Sequence, residues 1–494
     1  MPHYKSEGVY TLNTKSRKRS FGIIKTRYKK ALINLSNSNF PKDEEGKAPI
    51  HYDSCDLSRS RNQELVESWH IARVYVEAYG CSANLADSEI VQGLLWKAGH
   101  TIVGEPGSAD ASVVLSCTVK TPTQKKIEKR IRELHLLGPP LIVAGCMPKA
   151  QRDLVADIAP GASMIGPDNI REVVRVVGAA IIGESMEALE GGRPDKTGLP
   201  RIRENPVVHI APIASGCLGS CSYCIVKQAR GGLTSFPAEA IVDNARTALV
   251  AGCREIWVTA EDTAAYHWKG VGLPKLLGRL ADLPGRYFIR VGMMTPSQAK
   301  PILDPLIEAY HSDKVFKFLH VPAQSGSDEV LGRMGRRYTV KEYRELVQRF
   351  KEGHPLASIS TDIICGFPGE TESQFEESIK LVEQMRPDVL NISRFWPRPG
   401  TEAASMEGQL HGRITKKRSR LLSGLWRDIS LEANLRWVGW EGKALVDEPG
   451  RSGGMMARNF AYKPIVIKDP VRVGDSVKIR ITEALRGYLI GETT

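Results

Sequence analysis

At 494 residues, 42% hydrophobic and 25% charged, the chain has the composition of a soluble globular protein with room for two to four domains. A net charge of +12 favours a polyanionic partner, most simply nucleic acid, and no run of 18 uninterrupted apolar residues exists, so no membrane span is expected. Nine cysteines, an odd number, with no secretory signal argue against a disulfide framework and for thiolates that hold metal in a reducing cytoplasm.

Residues 1–30 hold nine Lys or Arg against one Glu, and the stretch then turns polar through Asp43-Glu44-Glu45. Residues 1–70 therefore read as a basic arm without a packed core; a transit peptide and a mis-set start codon are the competing readings. Residues 71–185 alternate strand and helix. Val74–Tyr79, Ser112–Leu115 and Leu141–Ala144 read as strands, with helical patterns over Ala86–Lys97 and Lys125–Leu136. That βα alternation predicts a parallel sheet with helices on its faces. Cys81, Cys117 and Cys146 each follow one predicted strand. Open parallel sheets bind ligands at that edge, so the three thiols can meet there and hold a metal centre.

Residues 186–206 are rich in Gly, Glu, Arg and Pro and read as a linker. A second βα series follows in residues 207–436, with strands at Val208–Ala214, Glu255–Thr259, Tyr287–Val291, Lys314–Leu319, Ser358–Ile364 and Val389–Ser393. Six such units predict a partial barrel with its site at the C-terminal strand ends. After the first strand comes Cys217-Leu218-Gly219-Ser220-Cys221-Ser222-Tyr223-Cys224. Three thiolates on one short loop can hold three corners of a [4Fe–4S] cube and leave the fourth iron open. A zinc knuckle is the alternative, but structural zinc takes four closed ligands, and no fourth lies near in sequence. Cys55, Cys253 and Cys365 fit neither triplet and read as structural.

Residues 411–436 carry seven Lys or Arg against Asp428 and Glu432 and read as a basic helix, with a merely solvated face as the plainer reading. From residue 437 onward, short strands such as Lys443–Val446 and Ser476–Ile481 alternate with Gly-rich joints, which predicts a small β-barrel. Residues 441–494 hold nine basic and seven acidic residues, so affinity for a nucleic acid would lean on the basic helix and the arm.

The Cys217–Cys224 loop closely resembles that of the radical S-adenosylmethionine (SAM) enzymes. The order of Cys81, Cys117 and Cys146, then that loop, then a small β-domain resembles the methylthiotransferase branch from Arg73 to the end. Tyr79-Gly80-Cys81-Ser82-Ala83-Asn84, Pro322-Ala323-Gln324-Ser325-Gly326, Gly366-Phe367-Pro368-Gly369-Glu370-Thr371 and Arg398-Pro399-Gly400-Thr401 resemble further motifs of that branch. The resemblance implies an α/β fold: an N-terminal parallel-sheet methylthiotransferase domain, a central partial (βα)6 radical SAM barrel and a C-terminal TRAM-like RNA-binding barrel. It implies two [4Fe–4S] clusters, an auxiliary one on Cys81, Cys117 and Cys146 and a radical-forming one on Cys217, Cys221 and Cys224. It also implies SAM as cofactor, tRNA as partner, a low-potential electron donor such as ferredoxin or flavodoxin, and a sulfur donor.

Lys227-Gln228-Ala229-Arg230-Gly231 looks like the archaeal and eukaryotic group acting on tRNA N6-threonylcarbamoyladenosine. Lys227, with Arg230, could pair with the carboxylate of that substituent. Tyr223 is expected against the adenine side of SAM, Glu261 and Asp262 at its amino group and ribose, and Gln324 and Asp362 lining the same pocket. The alternatives are isopentenyladenosine tRNA or a ribosomal protein as substrate, and, outside catalysis, an iron–sulfur RNA-binding redox sensor.

Overall fold

The computed structural model describes residues 71–119, 121–192, 194–450 and 453–494. The expected basic arm of residues 1–70, with Cys55, lies outside the described residues. Six strands form the first sheet: β1 (Arg73–Ala78), β2 (Thr101–Val103), β3 (Ala111–Ser116), β4 (Leu141–Gly145), β5 (Ser163–Ile165) and β6 (Glu187–Ala188). All pairs are parallel, in the order β2-β1-β3-β4-β5-β6. Every residue of β3 and β4 is buried, because helices cover both faces, which is why these strands read as continuous apolar runs. The strand order reverses between β1 and β3. That reversal opens a crevice at the C-terminal edge of the sheet, the usual place for a ligand.

The central series adds β7 (Val208–Pro212), β8 (Ala214–Ser215), β9 (Thr234–Ser235), β10 (Glu255–Thr259), β11 (His267–Trp268), β12 (Val271–Gly272), β13 (Phe288–Val291), β14 (Phe318–His320), β15 (Ser358–Cys365) and β16 (Val389–Arg394). Strands β7, β10 and β13 run parallel in chain order, as do β14, β15 and β16, and a bridge between Ile289 and Val315 joins the two sets. This is the expected partial barrel of six units. Strands β8 with β9, and β11 with β12, form two small antiparallel pairs above it. Helix Ser82–Lys97 of the first domain packs on β7 through Leu85 and Ala86 against Val208, Ile210 and Trp257. It is therefore buried on two sides, and its polar residues are paired: Asp87 meets Lys196 at 2.5 Å, both almost without exposure.

The chain ends in a closed barrel, β17-β18-β19-β21-β20, built from β17 (Glu441–Pro449), β18 (Met455–Arg458), β19 (Pro464–Ile467), β20 (Ser476–Leu485) and β21 (Tyr488–Thr493). Ile479 and Ile481 of β20 alternate inward to join Val446, Ala457, Ile465 and Leu489 in its core. This barrel docks at the strand-start end of the central one. There the Lys317 amide donates to the Phe460 carbonyl at 2.7 Å, and Lys463 pairs with Asp388 at 2.6 Å. Helix Gly412–Leu435 connects the two ends. Its 24 residues span about 36 Å, from Thr415 beside Gly366 just past β15 to Asn434, whose Nδ2 donates to the Leu485 carbonyl at 2.8 Å. No helix among the described residues is long and apolar enough to cross a membrane.

Candidate functional site: two thiol triplets at the barrel mouth

The loop after β8 turns on Gly216, whose φ is +79° and whose missing Cβ would lie 2.1 Å from the Gly232 carbonyl oxygen. Only glycine fits such a turn. It brings the Cys217 amide to the Gly231 carbonyl at 3.3 Å and sends the loop across the barrel mouth. The Sγ atoms of Cys217 and Cys221 lie 3.3 and 3.8 Å from the point a Cβ on Gly219 would occupy, so two of the thiols converge there. Cys224 is close enough to Cys221 and Cys217 to feel both. Burial pushes the Cys224 thiol up to about 12 and raises Cys217 as well. Dry thiols of this kind lose their protons when a metal centre supplies the compensating charge.

The segment Arg333–Tyr338 grips the loop from outside. The Ser222 amide donates to the Met334 carbonyl at 3.1 Å, and Ser222 Oγ donates to the Arg333 carbonyl at 2.8 Å. Arg336 Nη1 donates to Cys221 Sγ at 3.2 Å, while its buried Nη2 has no partner among the described residues. Sequence reasoning missed Arg336. It lies far along the chain from the cysteines, in no spaced motif; the Gly335-Arg336-Arg337-Tyr338 turn after the short helix Asp328–Arg333 was the available signal.

The second triplet gathers where the strand order of the first sheet reverses. Cys81 caps helix Ser82–Lys97 just past β1, Cys117 directly follows β3, and Cys146 opens the short helix after β4. Gly145 sets Cys146 with a φ of +91°; a Cβ there would meet the Ser116 carbonyl oxygen at 2.8 Å. Cys146 is fully buried and pushed up to about 12 by that burial, with Cys81 and Cys117 near enough to add to the shift. Arg398, from the loop after β16, reaches into this domain. Its Nη1 donates to Gln124 Oε1 at 2.7 Å, and its buried Nη2, beside Cys117, has no partner among the described residues.

Each triplet is thus three thiols with one buried guanidinium nitrogen left over. An anionic iron–sulfur cube fits that donor set: the thiolates take three irons, and the free N–H meets the negative charge. Among the described residues no three Cys, His, Asp or Glu side chains close tightly enough around one metal ion.

The remaining expected residues divide. Tyr223 is half-buried, with its ring edge on Phe367 at 6.5 Å between centroids. Asp262 is buried beside Cys217; its carboxylate accepts from the Thr295 amide at 3.1 Å and from Thr295 Oγ1 at 2.5 Å, and burial raises its pKa. Asp362 Oδ1 accepts from Asn391 Nδ2 at 2.6 Å and lies 3.1 Å from His320 Nε2. Gln324 holds a φ of +68° between two backbone bonds to β15, its amide to the Asp362 carbonyl at 2.8 Å and its carbonyl to the Ile364 amide at 2.9 Å. A non-glycine residue in that region stores strain, and the two bonds over-determine it. Cys253 and Cys365 are fully buried away from both triplets, Cys253 against the Pro206 carbonyl.

Lys227 is exposed on the short helix Val226–Arg230. Arg230 differs from expectation. It is 5% exposed, donates from Nη2 to Asn84 Oδ1 at 2.8 Å, and pairs with Asp87 at 3.3 Å and Glu261 at 3.2 Å. Two protein carboxylates already hold it, so it is not free for a substrate carboxylate. For the same reason one Glu261 oxygen is turned toward Arg230. The other, Oε2, is buried without a partner among the described residues.

Comparison with known proteins agrees with this layout. Residues 212–382 match the family described as "Radical SAM superfamily", residues 73–166 "Uncharacterized protein family UPF0004", and residues 436–494 "TRAM domain". A protein of Pyrococcus horikoshii named "Probable threonylcarbamoyladenosine tRNA methylthiotransferase" is 41% identical over 85% of this chain and 99% of its own length. The Homo sapiens "Threonylcarbamoyladenosine tRNA methylthiotransferase" is 36% identical over 85% of this chain and 74% of its own. Among solved structures, the radical SAM methyltransferase TsrM of Kitasatospora setae superposes with a TM-score of 0.52 at 13% identity, covering 67% of this chain and 75% of that one, which is a likeness of fold.

Proposed function

The chain belongs to the radical SAM methylthiotransferases, in the threonylcarbamoyladenosine tRNA group, and from that premise we propose which base it modifies and how its residues divide the work. It is a methylthiotransferase acting on tRNA. The base is N6-threonylcarbamoyladenosine at position 37, and the C2–H bond is replaced by C2–S–CH3 with two SAM molecules consumed. A [4Fe–4S] cluster bound there would supply the electron for reductive cleavage of SAM, the chemistry that yields a radical able to take the C2 hydrogen.

Cys217, Cys221 and Cys224 hold that cluster, and Arg336 offsets its charge. Tyr223, Gln324 and Asp362 line the SAM pocket. Asp262, fixed by Thr295, accepts from the amino group or ribose, and the free Glu261 oxygen is aimed at the same groups. Cys81, Cys117 and Cys146 would hold a second cluster, which would supply the site for the sulfur to be inserted, and Arg398 would lie beside it. Lys227, exposed at the rim, meets the substituent's carboxylate. A low-potential ferredoxin or flavodoxin delivers electrons, and a separate donor renews the sulfur.

One observation carries the two-cluster reading. The helix Val226–Arg230 starts two residues past Cys224 and ends in an arginine bound to Asn84 and Asp87 beside Cys146. Five residues of helix rise about 7.5 Å, so sulfur site and radical site are neighbours across one domain junction.

The test separates the triplets. Anaerobically reconstituted protein should carry about eight irons, and alanine at either triplet should leave about four. Loss of Cys217, Cys221 and Cys224 should abolish 5′-deoxyadenosine release from SAM. Loss of Cys81, Cys117 and Cys146 should spare that release and stop methylthiolation of tRNA bearing the threonylcarbamoyl group, read by nucleoside mass spectrometry. Full product from the variant lacking Cys81, Cys117 and Cys146 would overturn the reading. Two clusters and tRNA binding without SAM cleavage would make the protein an iron–sulfur RNA sensor instead.

A further inference from the structure

The mouth of the central barrel and the small C-terminal barrel lie at opposite ends of the molecule's central domain, and helix Gly412–Leu435 runs between them. Residues 411–427 of this helix contain no acidic residue. Arg413, Lys416, Lys417, Arg420 and Arg427 are all exposed. At 3.6 residues per turn they fall within about 100° of one face, over about 21 Å of axis. The ion pairs of this helix involve other residues: Arg418 with Glu370 and Glu372, Asp428 with Arg486, and Glu432 with Arg386. Arg413, Lys416, Lys417 and Arg420 line a shallow groove with Leu421 and Gly424. Gly424 sits in mid-helix with no protein atom within 4 Å of the place its Cβ would take. Glycine weakens a helix interior relative to alanine, and no packing among the described residues requires it here. It leaves a low point where another backbone can come close.

We propose that this face is the track on which the sugar–phosphate backbone of the substrate tRNA lies between the small barrel and the barrel mouth. The proposal rests on the reading of tRNA as substrate and names the surface that grips it. Charge chooses the partner. Five cations in line, none ion-paired among the described residues, with no carboxylate among them and no aromatic anchor, match a row of phosphates. An acidic protein such as the electron donor would dock better on a face with an apolar, aromatic centre. The N-terminal end of the track lies by Glu370 and Glu372, past the end of β15, so the backbone it holds is delivered to the face where the thiols are.

The test replaces Arg413, Lys416, Lys417 and Arg420 together by Glu in the full-length, reconstituted enzyme. All four are exposed, and none touches the thiol triplets, so SAM cleavage without tRNA should stay at the wild-type rate. Binding of a transcribed tRNA is measured between 50 and 200 mM salt. Affinity should fall at least about 100-fold, and the slope of log K against log salt should flatten by about 3, from four lost phosphate contacts. The KM for tRNA should rise far more than kcat falls. Unchanged affinity and slope would overturn the proposal while leaving the tRNA reading intact. Slower reduction by flavodoxin with unchanged tRNA binding would overturn it in favour of a donor-docking face. A wild-type protein that binds no tRNA at any of these salt concentrations would remove the tRNA reading itself.

Discussion

Lys227 and Arg230 stand one helical turn apart, and periodicity places them on the same side of a short helix. The structure separates them: Lys227 is in water, while Arg230 is buried among Asp87, Glu261 and Asn84. A charge-assisted contact from Lys227 to the threonylcarbamoyl carboxylate is worth about 1.5–3 kcal/mol, or roughly 10- to 150-fold in binding or rate. Lys227→Met keeps most of the length and loses the charge. Its turnover of tRNA bearing the carboxylate should drop by that factor, with SAM cleavage unchanged and the preference over an apolar N6 group narrowed. Equal kinetics on both tRNAs would make Lys227 an ordinary surface charge. At this scale the sequence revealed the cysteines, because their spacing is local. It hid Arg336, Arg398 and the true partners of Arg230, because those contacts are made across domains and long stretches of chain.

The elements were more legible than the contacts between them. The six central strands were found near their observed bounds because each is an apolar run between turn residues. Strands β2, β5 and β6 have two or three residues each, too few to leave a pattern. The Gly366–Thr371 segment was legible as a motif, and its physical reason lies in the helix it starts. Glu370 accepts from the Gly366 amide at 2.7 Å and pairs with Arg418 at 2.8 Å. Thr371 then caps helix Glu372–Met385: its hydroxyl accepts from the Gln374 amide at 3.2 Å, and Gln374 Oε1 accepts from the Thr371 amide at 3.1 Å. Removing such a cap costs about 1 kcal/mol. Thr371→Ala should therefore speed hydrogen exchange in the first turn of this helix about fivefold and leave the far end unchanged. Unaltered protection there would show that Glu370 and Arg418 hold the helix start without the cap.

At the scale of the whole molecule, the small barrel is held to the central one by a buried polar junction that composition does not announce. Glu255, the first residue of β10, is fully buried and accepts from Trp257 Nε1 at 2.5 Å. Arg290 lies over the rings of Trp257, Phe318 and Tyr462 at 5.1–5.5 Å, and Arg458 pairs with Asp447 at 2.9 Å. Burial first, then the neighbouring Asp447, lifts the Glu255 pKa to about 7 from an ordinary 4.5. The sign follows from proton counting. Below about 4.5 the carboxyl is neutral in both folded and unfolded chains. Between 4.5 and 7 the unfolded chain releases its proton while the folded chain keeps it, so this group lowers stability as pH rises through that window and adds no further change above it. The full shift corresponds to about 3 kcal/mol. Glu255→Gln keeps an acceptor for Trp257 and cannot ionise. Whatever constant offset its amide brings, the difference in stability between variant and wild type should move in favour of the variant as pH is raised from 5 to 7 and then level off. Paired thermal or urea unfolding of the two proteins across that range reads the difference directly, since titration of Glu89, also lifted to about 7, is common to both. A difference independent of pH would mean that Glu255 is ionised in the folded protein and paired by Arg290 and Arg458, so that the junction is held by charge.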